Sequence, residues 1–409
     1  MKAFLRGLLM GTIGSVIVLG LALGVCYFSG LLDFAGGKRE AFSSSVQPAG
    51  FAAIAGQAGQ MRAEEGEEQE EQEEQKTDFP EDGEGEVSLY PEESGEEGIR
   101  LLFAGDLYLT ELLQDKYRRN GIQAAASQEL LTLLQEGDLF VLNQEFPFGT
   151  TGEAMEEKEY TFRVPPDLVS VPVDLGVDLV TLANNHMLDF GRGPLTETLA
   201  ALDGAGIAHV GAGEDLEAAK APAVFEIQGK TFGFLGASRV IPEASWNASR
   251  YSSGVFTIYD AAQLVEEIRK AKESCDFVAV LVHWGIERNT FPEEYQKTLA
   301  RQYIDAGADA VIGSHPHVLQ GIEYYQGKPI FYSLGNFIFS NGAYESIVVE
   351  LTVTEGETRV RVIPCASEGN QMGLLSKKQD YFQRLKELSF GVRIEEDGRV
   401  LEEQTPAGS

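Results

Sequence analysis

The sequence predicts a layered α/β domain, with helices covering sheets, from about residue 99 to residue 395. Three observations predict it. Short apolar, β-branched runs alternate with stretches of helical periodicity. Turn signals such as Gln228-Gly229-Lys230 and Gln326-Gly327-Lys328-Pro329 place hairpins in the second half. Five of the strand-like runs end in polar residues able to ligate a metal, and ligands of open α/β sheets bind at carboxyl strand ends.

Ahead of that domain, Lys2 and Arg6 precede 21 uncharged residues from Leu8 to Phe28, long enough to cross a bilayer. Residues 1–28 are therefore read as a cytoplasmic stub and transmembrane signal-anchor, with the bulk of the chain extracytoplasmic at the cell membrane. No Ala-x-Ala pattern follows the run, and Val25 fits poorly before Cys26, so cleavage or lipidation is the alternative. Residues 29–98 read as a disordered linker, Gly/Ala-rich and then Glu-rich. Glu64–Glu97 carries 17 acidic residues against Lys76, half of the chain's net charge of −32. Such a run cannot bury enough apolar surface to fold, and it extends by self-repulsion. The acidity excludes nucleic acid as a partner, which needs a basic footprint.

The domain opens with a strand at Ile99–Gly105, a helix at Ser127–Gln135 and a strand at Leu139–Leu142. A short helix at Pro166–Leu175 leads to a strand at Val177–Ala183. Proline near its first turn and Gly206 at its end bound a helix at Pro194–Ala205. A short strand, Ala208–Val210, precedes a hairpin over Ala223–Phe234. Helices at Ala261–Glu273 and Glu293–Asp305 alternate with strands at Phe277–Val282 and Ala310–Ile312. A second hairpin covers Glu323–Ser333, Ser346–Val353 pairs with Arg359–Ile363, and Gln379–Leu388 is the last helix. Residues 396–409 read as a C-terminal tail. Cys275 and Cys365 have no CxxC partner; a disulfide between them is left open.

Four of the five histidines lie just beyond strands, in Asn184-Asn185-His186, His283-Trp284-Gly285-Ile286-Glu287 and Gly313-Ser314-His315-Pro316-His317. Asp106 and Glu145 follow two further strands. Gly105 is expected to leave room for a metal, Glu145 to bridge two cations, and Asn185 to offer an amide oxygen. His283, His315 and His317 offer imidazoles. In an extended segment His315 and His317 would point to the same side. Two divalent cations could then activate a water and clamp an oxyanion, with His186 protonating the leaving group. The donors suit Mn, Zn or Fe. His209 stands alone and reads as structural, and Trp284 as packing. Asp189 and Gly191 read as a helix cap, and Asn336 as a turn former or substrate contact.

Gly105-Asp106, Asn143-x-Glu145, Ala183-Asn184-Asn185-His186 with Asp189-x-Gly191, His283-Trp284-Gly285, Gly313-x-His315-Pro316-His317 and Ser333-Leu334-Gly335-Asn336-Phe337 together resemble the CapA family of capsule and poly-γ-glutamate biosynthesis proteins. That family resembles the calcineurin-like metallophosphoesterases, so the resemblance implies a four-layer αββα sandwich. It also implies one metal on Asp106, Glu145 and His317, a second on Glu145, Asn185, His283 and His315, and His186 as the catalytic histidine. Asn184, Asp189, Glu287 and Asn336 are expected to contact substrate or support the ligands. The chain departs from the phosphoesterase pattern at Tyr108, where those enzymes carry histidine, and at Glu145, where they carry aspartate.

The function expected is a membrane-anchored, metal-dependent hydrolase acting on an anionic polymer or a phosphoester, in capsule or poly-γ-glutamate biosynthesis, release or transport. The alternatives are a non-catalytic or polymer-binding subunit among membrane synthase partners, and a general cell-surface phosphoesterase.

Overall fold

A strand buried on both sides must be apolar on both, and Ile99–Leu107 (β1) is: Leu101 and Phe103 face one core, Leu102 and Ala104 another. A computed structural model describes residues 98–403 apart from Ser340 and Asn370. The apolar run at 8–28, the acidic linker to residue 97 and residues 404–409 lie outside the described residues. Among those described, no helix is long and apolar enough to cross a membrane.

After β1 comes helix α1 (Glu111–Asn120), which the sequence reading missed. It is polar on most of its surface, and the Thr110 hydroxyl caps it by accepting from Leu113 N. Helix α2 (Gln128–Gln135), capped by Ser127, leads into β2 (Leu139–Gln144). Helix α3 (Ser170–Leu175) stops at the left-handed Gly176, before β3 (Leu179–Thr181). Helix α4 (Arg192–Ala205) ends likewise at Gly206, before β4 (Ala208–Val210). Then follow β5 (Ala212–Gly213), α5 (Leu216–Lys220), β6 (Ala223–Ile227), β7 (Lys230–Ser238), β8 (Gly254–Val255), α6 (Ala262–Ser274) and β9 (Phe277–His283). Helix α7 (Glu294–Asp305) opens with a reciprocal box between Glu293 and Gln296. It leads to β10 (Ala310–Ser314), β11 (Ile322–Tyr325), β12 (Lys328–Phe331) and β13 (Asn336–Ile338). The chain continues through β14 (Tyr344–Val353), β15 (Thr358–Glu368), β16 (Gln371–Leu374), α8 (Gln379–Leu388), β17 (Val392–Ile394) and β18 (Arg399–Glu402).

The large sheet runs β17-β18-β15-β14-β1-β2-β3-β4, with β13 beside β1 and β16 beside β15. The second sheet runs β11-β12-β10-β9-β7-β6. β1 to β4 are mutually parallel, as are β7, β9, β10 and β12, so each set delivers its carboxyl ends to one edge. One core lies between the sheets and includes Phe103, Val141, Phe234, Leu281 and Val349. A second packs α1 to α4 on the large sheet, and a third packs α6 and α7 on the other. The fold is thus mixed α/β, with helices outside two facing sheets, as the alternating pattern predicts.

Three readings change. β18 lies inside the segment read as a tail, and it pairs with β15 and β17. Its Val400 is buried and seals the inter-sheet core, which so short a strand does not advertise in sequence. Cys275 and Cys365 are free, buried in different cores outside opposite sheets, so no disulfide joins them. β3 is shorter than its apolar run because Leu182 to His186 leave the sheet to build a turn.

Phe234 is fully buried, its ring centroid 6.4 Å from that of Phe103 across the two sheets. Phe234→Ala is expected to cost about 3–5 kcal/mol, read as a lower midpoint of chemical denaturation. An unmoved midpoint would show that this ring does not hold the sheets together.

Candidate metal centre

Every candidate ligand sits where a parallel strand ends. Asp106 lies near the end of β1, in register with Asn143 of β2 and Asn336 of β13. Glu145 follows β2, and its N–H donates to Leu107 O at 3.0 Å. Asn184, Asn185 and His186 form the turn after β3. His283 ends β9, level with Ser314 at the end of β10. Gly105 has a different role from the one expected: a Cβ there would lie 1.9 Å from Gly335 O, so its bareness admits the Gly335 backbone. That approach lets Asp106 N donate to Gly335 O at 2.9 Å and fixes the carboxylate.

His315 and His317 are not extended, which corrects the reading from alternation. β10 stops at Ser314, and both histidines are left-handed, at φ 98° and 59°. The turn, not the strand period, aims the rings inward, their centroids 6.0 Å apart. Such dihedrals cost side-chain-bearing residues energy and persist where surroundings enforce them.

Six candidates converge. Asp106, Glu145 and His317 place ligand atoms within 4.8 Å of one another, as do Glu145, His283 and His315. Glu145 Oε1 is 3.5 Å from His283 Nε2 and 3.7 Å from His317 Nε2. Asn185 Oδ1 is 2.8 Å from His283 Nε2. Supporting groups aim these atoms. His283 Nδ1 faces Ser314 Oγ at 3.0 Å, and His317 Nδ1–H donates to Asn336 Oδ1 at 2.8 Å. Asn143, absent from the sequence-based site, donates from Nδ2 to Asp106 Oδ1 at 2.8 Å and reaches Glu145 Oε2 at 3.4 Å. Asn184 is an internal strut: it donates to Gln144 O at 2.7 Å and accepts from His186 N. Two buried atoms of the cluster, Glu145 Oε1 and His315 Nδ1, have no hydrogen-bond partner among the described residues. Orphaned acceptors of this type are what a cation satisfies, so the residues fit a divalent metal.

Residues 100–341 match the family model described as bacterial capsule synthesis protein PGA_cap. The chain belongs to this family. The chain is 32 % identical to the PGA biosynthesis protein CapA of Bacillus subtilis over 242 residues, covering 59 % of this chain and 63 % of that protein. It is 36 % identical to a probable polyglutamine synthesis accessory protein of Mycobacterium tuberculosis, covering 52 % and 60 %. The matches thus span about three fifths of the length of these relatives. Among solved structures, a 5'-nucleotidase from Candida albicans aligns at 12 % identity with a TM-score of 0.37, over 65 % of this chain and 52 % of that one.

In this family member, burial dominates the electrostatics. It raises the Glu145 carboxyl well above its ordinary value, and the Asp106 charge adds to the rise. Burial pulls His283 well below its ordinary value and His315 down to about 3. These neutral imidazoles are the form a metal takes. His317 goes the other way. Burial would lower it, but Glu145 and Asp106 overcome that and hold it protonated up to about 10.

His186 stands beside the cluster on a prepared mount. Its Nδ1 is 2.7 Å from Asp189 Oδ2. A carboxylate can only accept, so Nδ1 carries the proton and Nε2 is free. Asp189 therefore holds His186 instead of capping α4, whose cap Gly191 makes no side-chain bond. Lys158, also missed in sequence, bonds Asp189 Oδ1 and donates to Asn185 O at 2.5 Å, its ammonium 3.1 Å from His186 Nδ1. Burial lowers His186, Asp189 opposes, and Lys158 adds to the lowering. Phe162 stacks on His186 at 4.0 Å and Tyr108 on Phe162 at 3.9 Å. Tyr108, where phosphoesterases carry histidine, thus joins an aromatic wall. His209 lies apart, 3.2 Å from Asp203, and Trp284 packs fully buried, donating to Tyr332 O. Glu287 is exposed at the mouth, near His315 and His317.

Ligation needs Glu145 and His317 deprotonated, and both hold protons more tightly than usual. Cation loading is therefore expected to release protons, and apparent affinity to rise with pH. Calorimetry in two buffers of different ionisation enthalpy reads this; heats that do not depend on the buffer would refute it. Lys158→Met is expected to raise the His186 titration midpoint in ring NMR. An unmoved midpoint would remove Lys158 from that histidine's field.

Proposed function

We propose that this protein is a metal-dependent hydrolase serving the biosynthesis, release or transport of an anionic capsule polymer of the poly-γ-glutamate type. The observation that carries the reading is the convergence of two carboxylates, one amide oxygen and three imidazoles around the orphaned Glu145 Oε1. Asp106, Glu145 and His317 would hold one cation; Glu145, Asn185, His283 and His315 the other. When bound, the cations supply Lewis acidity and lower the pKa of a coordinated water. The mixed nitrogen and oxygen donors suit Mn, Zn or Fe.

The residues of the chain do the rest. Asp189 and Lys158 fix the His186 ring, so its Nε2 can take and return a proton during cleavage. Phe162 and Tyr108 wall that side and shield the proton path from solvent. The apolar run at 8–28 would hold the domain outside the membrane, with the acidic linker as spacer. A second reading, a polymer-binding subunit of a membrane synthase, draws support from one observation. Tyr108 brings an aromatic ring where the phosphoesterase pattern has an imidazole, so one cation has fewer nitrogen donors.

In the full-length chain, His186→Ala is expected to lower metal-dependent turnover of a phosphodiester or of poly-γ-glutamate by about 10²–10⁴ while metal content stays unchanged. Undiminished turnover would end the role of His186. A wild-type chain that binds Mn²⁺ or Zn²⁺ and cleaves neither substrate would favour the polymer-binding reading.

A further inference from the structure

We infer that Glu287 is a further metal ligand, adding a carboxylate at the mouth of the centre to the cation site of Asp106, Glu145 and His317. The inference rests on the reading that the centre holds metal, and extends it by a residue that no other group claims. Ligand atoms of Glu287, His315 and His317 all lie within 4.8 Å of one another. Among the described residues, no hydrogen bond or ion pair occupies the Glu287 carboxylate. Beneath it, His315 is 4 % exposed and its Nδ1 lacks a partner. An uncommitted carboxylate within 4.8 Å of two imidazole donors, on a side where one ring keeps an unpartnered nitrogen, is a ligand set awaiting a cation.

The backbone on both sides of Glu287 is tied down. β9 ends at His283, and the chain reverses at Gly285, φ 95°, whose N–H donates to Tyr295 Oη at 2.7 Å. A Cβ at Gly285 would approach Pro316 Cγ at 3.0 Å. One residue past Glu287, Arg288 N donates to Pro316 O at 2.8 Å. Pro316 sits between the two histidines, so this bond ties the Glu287 loop to the turn that aims them. Asn289 N closes the loop on Ile286 O at 3.1 Å.

Ligand number makes the same case. Asp106, Glu145 and His317 offer three protein donors to one cation, fewer than the four to six that first-row divalent metals take. Glu287 adds a carboxylate from the open side, where it stays exposed while the others are buried. It would be the last ligand to engage and the first to leave, which makes this the exchangeable position of the centre. An imidazole nitrogen among the carboxylates favours a transition metal over Mg²⁺ or Ca²⁺.

The test uses the full-length chain with Zn²⁺ and Co²⁺ as probes. Glu287→Gln keeps size and removes charge at an exposed position, so folding is not at stake. Glu294→Gln, an exposed acid at the start of α7 paired with Lys297, controls for lost charge. Glu287→Gln is expected to weaken one Zn²⁺ equivalent by at least about tenfold, and to shift the Co²⁺ ligand-field absorption at full occupancy. Glu294→Gln is expected to do neither. Wild-type affinity, stoichiometry and spectrum in Glu287→Gln would overturn the inference, as would an equal loss in Glu294→Gln. A wild-type chain that binds neither metal would overturn the metal reading itself, a separate outcome.

Discussion

Two carboxylates buried side by side are the constraint on which this molecule turns. Asp106 and Glu145 are both fully buried, and burial together with Asp106 pushes the Glu145 carboxyl upward. Like charges withdrawn from water are costly unless protons, hydrogen bonds or cations compensate them. Asn143 meets part of that cost by donating to both. His317 meets another part with its raised pKa. What remains is an oxygen without a partner, surrounded by imidazoles that burial keeps neutral. The strand ends, the turns and the supporting amides are all arranged around that unmet demand.

The demand is met by neither sheet alone. Asp106, Glu145 and Asn185 come from the large sheet, and His283, His315 and His317 from the strands and turns of the other. The polar contacts between them, such as Asn185 Oδ1 to His283 Nε2 at 2.8 Å and His315 N to Asp106 Oδ2 at 3.4 Å, cross the seam between the sheets. The apolar core below has to hold the two sheets at one spacing and one angle for those contacts to form. Phe103 and Phe234, their rings tilted against each other across the interior, help to do that.

Much of this was legible in the sequence, because period and punctuation carry it. The strands ending at the site are continuous apolar runs, and Gly206 and the Gln-Gly-Lys turns mark their boundaries. The six residues that converge were all visible as polar groups beyond strands. What was not legible depends on distance in space. Lys158 sits in the run Glu156-Glu157-Lys158-Glu159, where composition suggests only a solvated loop, yet Asp189 draws its ammonium inside. Asn143 reads as part of a strand. The direction of His315 and His317 was misjudged because alternation holds only while a strand lasts, and this one stops at Ser314. β18 was missed because four residues carry too little pattern to separate a strand from a fraying end.

The seam position has a mechanical consequence. A cation gripped by ligands from both sheets would act as a rivet through the sandwich, whose inter-sheet core also takes in Tyr381, Phe382 and Leu385 of helix α8. With the rivet in place, sliding one sheet over the other means breaking coordination as well as repacking phenylalanines. Without it, the ligand-bearing edge is held by a few polar contacts and the mutual repulsion of two carboxylates. Chelation would therefore loosen the sandwich from that edge, and ions bound there would set how firmly its two halves stay closed.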